Sequence, residues 1–479
     1  MEFRFGIVGL AFGILVLISP SRTVTEQKLA VTAMRADLNV VGQILHRVHP
    51  STYKYAGKHE IEAAFREAVR RTGSPMEEHA FLAEVNRLLG HVRDGHTSAV
   101  PSSNLKAILR GAAGKIPVKL RFYGTRAFVL GTANGAVPLG AEVLSINGRS
   151  IRAIRKGLLP LLPADGDIQS GKRWKLNEDF RNLYWLYADQ APAFKLRLQL
   201  KGGHSRTVSV PALRDQDYKS KLKSPKWSAE DQTFGYRTIN SSTAKLTIPT
   251  FAPPAEFNFP KFLSDSITDA NRRHIKDLIL DLRGNDGGES FGPAIASAVL
   301  AKPFRAYKSM TARTDDISML TSFSHLDSDF VSNFAKSVVP RRKGLFEALP
   351  AAQPELAAQK PIPEPFKGKL WVLIDGEVFS AASALCSILK TEHRAIFVGE
   401  ETGGAYSGFS GGDFVVATLP NSKIRMVVPM FRINLAVAAG RETKQGIKPD
   451  FTFEPDVESV TNGVDSELDF VRRLMSSRK

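Results

Sequence analysis

Apolar residues recur every three or four positions through "MRADLNVVGQILHRVHP" (34–50), "HEIEAAFREAVRRTG" (59–73) and "PMEEHAFLAEVNRLLGHV" (75–92). That spacing predicts amphipathic helices over most of residues 25–107. The third helix stops at "RDGHTSAV" (93–100), where Asp94-Gly95 is a strong turn signal. From 115 to 213 the period changes. "KIPVKLRFYG", "AFVLGTA", "GAEVLSINGRSI" and "FKLRLQLKGGHSRTVSVPAL" alternate or run apolar between Gly and Asn turns, as strands do. Between them, "IRAIRKGLLPLLP" and "KRWKLNEDFRNLYWLYA" read as helices.

A third pattern starts near Phe234. "AKLTIPTF" is a strand, and residues 262–300 read as helix, buried strand, glycine loop, helix. "KLWVLIDGEVFSAASALCSILK" (369–390) repeats strand, loop, helix, and "RAIFVGEETGG" (394–404) ends a helix and adds a strand. Near-continuous apolar strands alternating with helices predict an α/β layer. Residues 303–368, rich in Ser, Pro and Ala, read as an insertion or lid.

Composition changes this picture little. The chain has 479 residues, 43% hydrophobic and 24% charged, which suits two or three globular domains. Lys plus Arg exceed Asp plus Glu by 65 to 48, a formal charge of +17. The basic residues fall in short pairs such as Arg70-Arg71, which are ordinary solvated faces. A nucleic-acid partner is not expected, since no basic stripe is interleaved with stacking aromatics. Association with an anionic membrane surface or wall polymer stays open. Cys386 is the single cysteine, so no internal disulfide can form, and it reads as a small core residue. No histidine pair has HExxH spacing, so no metal or other cofactor is expected. Residues 1–21, with Arg4, an apolar run to Ile18 and then Ser-Pro-Ser, read as a secretory signal or an uncleaved anchor. The chain is therefore expected to be exported, periplasmic or secreted.

In an open α/β layer, ligands collect at the carboxyl ends of strands. Three loops would meet there: "RGNDGG" (283–288), "GEVFSAA" (376–382) and "EETGG" (400–404). Gly287 and Gly288 allow close backbone approach, and the helix after Ser380 offers unpaired amides. Each feature also has a plain reading: a tight turn, a helix cap at Ser380, an exposed polar residue at His96. "GFSGG" (408–412) satisfies GxSxG, but strands rather than a helix come after it. Ser410 is therefore placed in a hairpin, and replacing it is expected to do little.

Taken in order, "LLGHVRDGHTSAV", "GAEVLSINGRSI", "LILDLRGNDGG", "FSAAS", "FVGEETGG" and "GIKPDF" resemble the tail-specific (C-terminal processing) serine peptidase family, S41-like. The resemblance spans nearly the whole chain after the N-terminal segment. It implies a multidomain α+β protein with an N-terminal helical segment, a PDZ-like β module and a ClpP/crotonase-like α/β catalytic domain. The implied divisions are 22–108, 109–214 and 233–455, the last carrying the 303–368 insertion, with a helix or tail at 456–479. The nucleophile falls on Ser380, and Ser383 supports the helix. The oxyanion donors fall on Gly287 or Gly288 and the Ala381 amide. The Ser–Lys branch of the family places a lysine 25 positions after the serine, where this chain has Ala405. The tricorn-type branch takes its base from a histidine upstream and is helped by a glutamate before "G-[IV]-x-P-D"; His96 and Glu442 match, with Glu442 about one position off. That branch also has a serine beside the histidine, where this chain has Gly95, so Asp94 or Thr97 is left to orient the ring. The resemblance thus implies an exported serine peptidase acting on peptide or protein substrates. Two alternatives remain: a catalytically inactive peptide- or lipid-binding protein on the same scaffold, and a crotonase-like acyl-thioester enzyme.

Overall fold

The computed structural model describes residues 26–225, 233–341, 344–437 and 444–477. The N-terminal part packs helices α1 (Val31–Arg47), α2 (Lys58–Arg71) and α3 (Glu78–Gly90), then a short strand β1 (Ser98–Val100) and helix α4 (Ser103–Arg110). The helices bury the stripes seen in the periodicity: Met34, Leu38, Val41, Ile44 and Leu45 on α1, and Phe81, Leu82, Val85, Leu88 and Leu89 on α3.

A second unit holds strands β2 (Val118–Tyr123), β3 (Arg126–Thr132) and β4 (Glu142–Ile146), helices α5 (Ile151–Leu158) and α6 (Ser170–Tyr187), then strands β5 (Ala193–Gln199) and β6 (Ser205–Pro211). Its strands form one antiparallel sheet, ordered β2-β3-β4-β5-β6. Strict alternation buries Val118, Leu120 and Phe122 on one face, where they meet Leu176, Phe180 and Tyr184 of α6 in a core of their own.

The remaining residues build two further sheets. The first contains β7 (Gly235–Asn240), β8 (Thr243–Thr247), β9 (Asp277–Asp281), β10 (Lys369–Ile374), β11 (Ala395–Gly399) and β12 (Phe451–Thr452), in that order. β7 is antiparallel to β8, and every other pair is parallel. Helices α7 (Phe259–Arg272), α8 (Gly292–Val299), α9 (Ser380–Thr391) and α10 (Ser466–Ser476) connect these strands or come after them. Leu370–Ile374 are all buried, as expected of a strand covered on both faces. Lys245 on β8 and Asp281 on β9 form a fully buried ion pair at 2.9 Å. Arg283 adds its guanidinium to Asp281 and ties both to Asp465 and Glu467 at the start of α10.

The last sheet is mixed into the segment expected as an insertion. Residues 303–368 are not an appendage. They supply β13 (Tyr307–Ala312), β14 (Val338–Arg341) and β15 (Leu345–Ala348) to a sheet ordered β14-β15-β13-β17-β16, where β16 is Gly408–Thr418 and β17 is Arg425–Leu435. β16 and β17 form an antiparallel hairpin, the arrangement the sequence indicates around Ser410, and Ser410 itself lies within β16. β1 also pairs with β17, through Ser98↔Val427 and Val100↔Arg425. That short ladder carries the turn before it, residues 93–97, from the N-terminal helices onto the sheet that flanks α9. Cys386 is fully buried. Among the described residues, no helix is long and apolar enough to cross a membrane. The segment expected as a signal or anchor, 1–21, lies outside the described residues.

Candidate functional site

β8, β9, β10 and β11 run parallel, so the loops leaving Thr247, Asp281, Ile374 and Gly399 emerge at one sheet edge. Asn285 is fully buried and stitches these loops together. Its Nδ2 donates to Ile248 O at 2.9 Å, its Oδ1 accepts the Gly287 amide at 3.0 Å, and its carbonyl accepts the Phe379 amide at 3.2 Å. Gly287 and Gly288 have φ of +97° and +131°, a region that favours glycine. They also have no room for a side chain. A Cβ on Gly287 would lie 2.8 Å from Ser380 Cβ and 3.0 Å from Ala381 N, and one on Gly288 would lie 2.5 Å from the Phe251 carbonyl. The Gly287 amide is taken by Asn285. Gly288 sits in a parallel bridge in which Phe251 N donates to Gly287 O and Glu289 N donates to Phe251 O, an arrangement that does not use the Gly288 amide.

Ser380 does not cap its helix. Phe379 occupies the N-cap position, and Ser380 is the first helical residue, half-buried, with φ of +51°. A serine in the left-handed region at the mouth of a helix is a strained placement of the kind found at functional sites. Ser383 Oγ donates to the Ser380 carbonyl at 2.8 Å and holds that backbone from within the helix. The adjacent Ala381 amide belongs to the first turn, whose N–H groups have no intrahelical acceptor.

His96 reaches the same place from the opposite direction. The imidazole stacks on Phe379 at 4.4 Å between centroids and lies 5.5 and 5.6 Å from Phe409 and Phe414. His96, Ser380, Gly287, Gly288, Lys175 and Phe414 all line one cavity of about 440 Å³. Burial, with the Lys175 and Lys54 cations nearby, pushes the imidazole down to about 4 against the pull of Asp94, so the ring is neutral at ordinary pH. Its Nδ1 is buried and makes no hydrogen bond in this arrangement.

The turn beneath His96 is held by a buried polar chain. Asp94 Oδ1 accepts the His96 amide and the Thr97 hydroxyl, each at 3.0 Å, and its Oδ2 accepts the Ser410 hydroxyl. Because Thr97 Oγ1 donates to Asp94, the 2.6 Å contact from His49 Nε2 to Thr97 is donated by the imidazole. His49 Nδ1 then accepts the Ser51 amide at 3.2 Å. Burial lowers the His49 pKa, in keeping with that neutral tautomer. Ser410 also lies 2.8 Å from Ser51 Oγ and is 1% exposed. It is therefore not idle, contrary to the expectation from its place in a hairpin. It helps hold the Asp94 carboxylate that fixes the His96 turn.

The structure thus brings together Ser380, His96, Gly287, Gly288 and Ala381. Glu442 lies outside the described residues. The "GI" pair a few positions downstream is anchored near the site: Gly446 N donates to Glu401 at 2.9 Å and Ile447 N to Thr402 Oγ1 at 2.8 Å. Ala405 is fully buried, and its amide faces Asp165, 3.4 Å away. Lys390, in the last turn of α9 at the opposite end from Ser380, pairs with Asp450. Several cavity residues carry no motif and escape sequence reasoning, among them Trp174 and Lys175 on α6, and Phe414 on β16. Lys175 Nζ lies 3.4 Å from Pro163 O and 5.3 Å from the Phe379 ring centre, and burial lowers its pKa. Glu377 also lines the cavity and is pushed up to about 9 by burial, with Asp375 and Asp286 adding to the effect, which leaves it neutral at ordinary pH. Asp94, His96 and Asp165 place ligand-type atoms within 4.8 Å of one another. Amide and hydroxyl protons already occupy both carboxylates, so the cluster fits a hydrogen-bonded support rather than a metal centre.

Residues 242–453 match Peptidase family S41. The S41-matching stretch contains Ser380, Gly287, Gly288 and Ala381, and His96 enters from outside it. No curated protein is significantly similar to the chain in sequence. Among solved structures, mature CPAF is 14% identical, with a TM-score of 0.64 over 93% of this chain and 98% of that one. Mature CPAF complexed with lactacystin gives 14% identity and 0.63 over 93% and 99%. A serine-to-alanine mutant of CPAF gives 15% identity and 0.66 over 93% and 97%. The chain therefore shares its fold with CPAF along almost its whole length.

Proposed function

We propose that this chain is a serine peptidase in which Ser380 is the nucleophile and His96 the base. The observation that carries the reading is that both side chains, from positions nearly three hundred residues apart, line one cavity. The S41 match over 242–453 supports it. In the proposed reaction, Ser380 Oγ attacks the scissile carbonyl carbon and its proton passes to the neutral imidazole. The resulting oxyanion is held by the amides of Gly288 and Ala381, with Gly287 as the alternative donor should its bond to Asn285 open. Collapse breaks the C–N bond, and the imidazolium returns its proton to the leaving amine. Water, deprotonated by the same ring, then hydrolyses the acyl-enzyme.

A peptidase of this kind acts on peptide or protein chains, and the unit built on β2–β6, as a PDZ-like module, would bind an extended segment by strand addition. Glu442 is proposed to assist His96 indirectly, and export through residues 1–21 is part of the same proposal. The test is turnover of a denatured protein or a peptide ester. Ser380→Ala should abolish hydrolysis while circular dichroism stays unchanged. Hydrolysis that survives Ser380→Ala sinks the reading. An intact fold that binds peptide but never cleaves it favours a binding protein on this scaffold.

A further inference from the structure

The proposed reaction leaves one buried charge without a role. Asp165 is 1% exposed and lies in the connection between α5 and α6, outside every motif. Its Oδ1 accepts the Gly95 amide at 2.8 Å, and its Oδ2 faces the Ala405 amide at 3.4 Å. Gly95 immediately precedes His96. Ala405 belongs to the loop after β11, whose Gly404 amide donates to Val378 O just ahead of the nucleophile helix. One carboxylate therefore joins the turn bearing the base to the loop that backs the serine. The same connection is pinned just after it, by Gly166 N donating to Arg93 O at 2.9 Å and Asp167 N to Lys444 O at 2.8 Å.

We propose that Asp165 is a positioning residue for His96: its carboxylate seats the turn that carries the imidazole and stabilises the imidazolium formed when Ser380 gives up its proton. This rests on the Ser380–His96 reading. The physical need is clear from the surroundings. His96 is clamped by three phenylalanines, and a cation formed there is poorly solvated unless a counter-charge is close. Oxygens of Asp94 and Asp165 and a nitrogen of the His96 ring lie within 4.8 Å of one another. Asp94 already accepts three hydrogen bonds, from His96 N, Thr97 Oγ1 and Ser410 Oγ. Asp94 pulls on the ring directly, and Asp165, which accepts one short bond and one long one, adds a second counter-charge for the imidazolium.

The ionisable groups facing Asp165 are Asp94, which opposes its charge, Lys54 and Lys175, which favour it, and His96, which favours it only once protonated. Burial and Asp94 raise Asp165 to about 6. Its charge is thus absent in mild acid and present above neutrality. Turnover should therefore rise with pH through about 6, as Asp165 ionises, while the imidazole itself stays neutral down to about 4.

The experiment uses the full chain and a peptide ester that the wild type hydrolyses, with kcat and KM measured across the pH range for wild type and Asp165→Asn. The expected result is an unchanged KM, a kcat lowered roughly a hundredfold above neutrality, and loss of the wild-type step near pH 6. A kcat equal to wild type overturns the proposal, as does a profile lowered at every pH with its step retained, since that is what a purely structural role would give. Should Asp165→Asn fail to fold, Asp165→Glu carries the test by keeping the charge on a longer arm. There a retained step with reduced kcat is expected, and a lost step or an unchanged kcat overturns the proposal. A wild type that neither hydrolyses the ester nor is labelled at Ser380 by a fluorophosphonate fails the underlying reading. An active wild type with an indifferent Asp165→Asn fails only the role of Asp165.

Discussion

Gly95→Ala tests how closely the base and the nucleophile are registered. The structure gives a steric reason for glycine at this position. A Cβ on Gly95 would lie 2.6 Å from Phe379 Cζ, 2.7 Å from its Cε2 and 3.1 Å from Asp165 Oδ1. Carbon atoms rest about 3.5–4.0 Å apart, so the ring would have to retreat by roughly 1 Å. Phe379 directly precedes Ser380 and stacks on His96 at 4.4 Å, so it cannot move without carrying one of them along. A misplacement of about 1 Å near reacting groups costs on the order of a hundredfold in rate. The overpacking itself should cost about 1–3 kcal/mol of stability. The assay is kcat on a peptide ester, with the thermal midpoint measured in parallel. The expectation is a folded protein with a modestly lowered midpoint and a kcat down about a hundredfold. A variant with wild-type kcat would show that the Phe379 ring is free to yield, and the registration argument would fail.

Buried polar groups give two other outcomes. Ser410→Ala removes a hydroxyl donor from the buried Asp94 and should cost about 1–3 kcal/mol in urea unfolding, while leaving Ser380 reactive; an unchanged midpoint would mean that water replaces the hydroxyl. Lys245→Ala leaves Asp281 half-paired in the sheet core and should cost about 3–5 kcal/mol, read from the same unfolding curves, with a loss below about 1 kcal/mol contradicting the assignment. The pH dependence has a definite sign. Although burial opposes it, Arg283 and Lys245 hold Asp281 down to about 2 from 3.8, so this stabilisation is present above the unfolded value and is lost as pH falls toward 2. Stability that is flat across that acid window would contradict it.

The parts of the site legible in the sequence are those that one loop or helix end dictates by itself. Glycines at 287 and 288 advertise positive φ, and an apolar strand ahead of "FSAAS" marks a helix mouth at a sheet edge. The "DGHT" turn stands out because Asp94-Gly95 ends a helical period. Asp165, Lys175 and Phe414 give no such sign. They come from a connection, the side of a helix and a sheet edge, and their importance arises only when three units pack together. The last sheet was hidden for a related reason. β13 pairs with β17 across more than a hundred intervening residues, and the Ser- and Pro-rich sequence around it makes its six residues look like part of a loop. The strands after Ser410 indicate a hairpin there, yet its partner Asp94 lies 316 positions away, which no local pattern reveals.

The central claim is that the hydroxyl of Ser380 is activated by the imidazole of His96. The most direct measurement is to treat the full chain with a fluorophosphonate and map the adduct by peptide mass spectrometry. The account predicts a single modified residue, Ser380, with labelling slowed strongly by His96→Ala and little by Lys175→Met. An adduct on Ser410, or labelling of Ser380 that depends on Lys175 and not on His96, would contradict it.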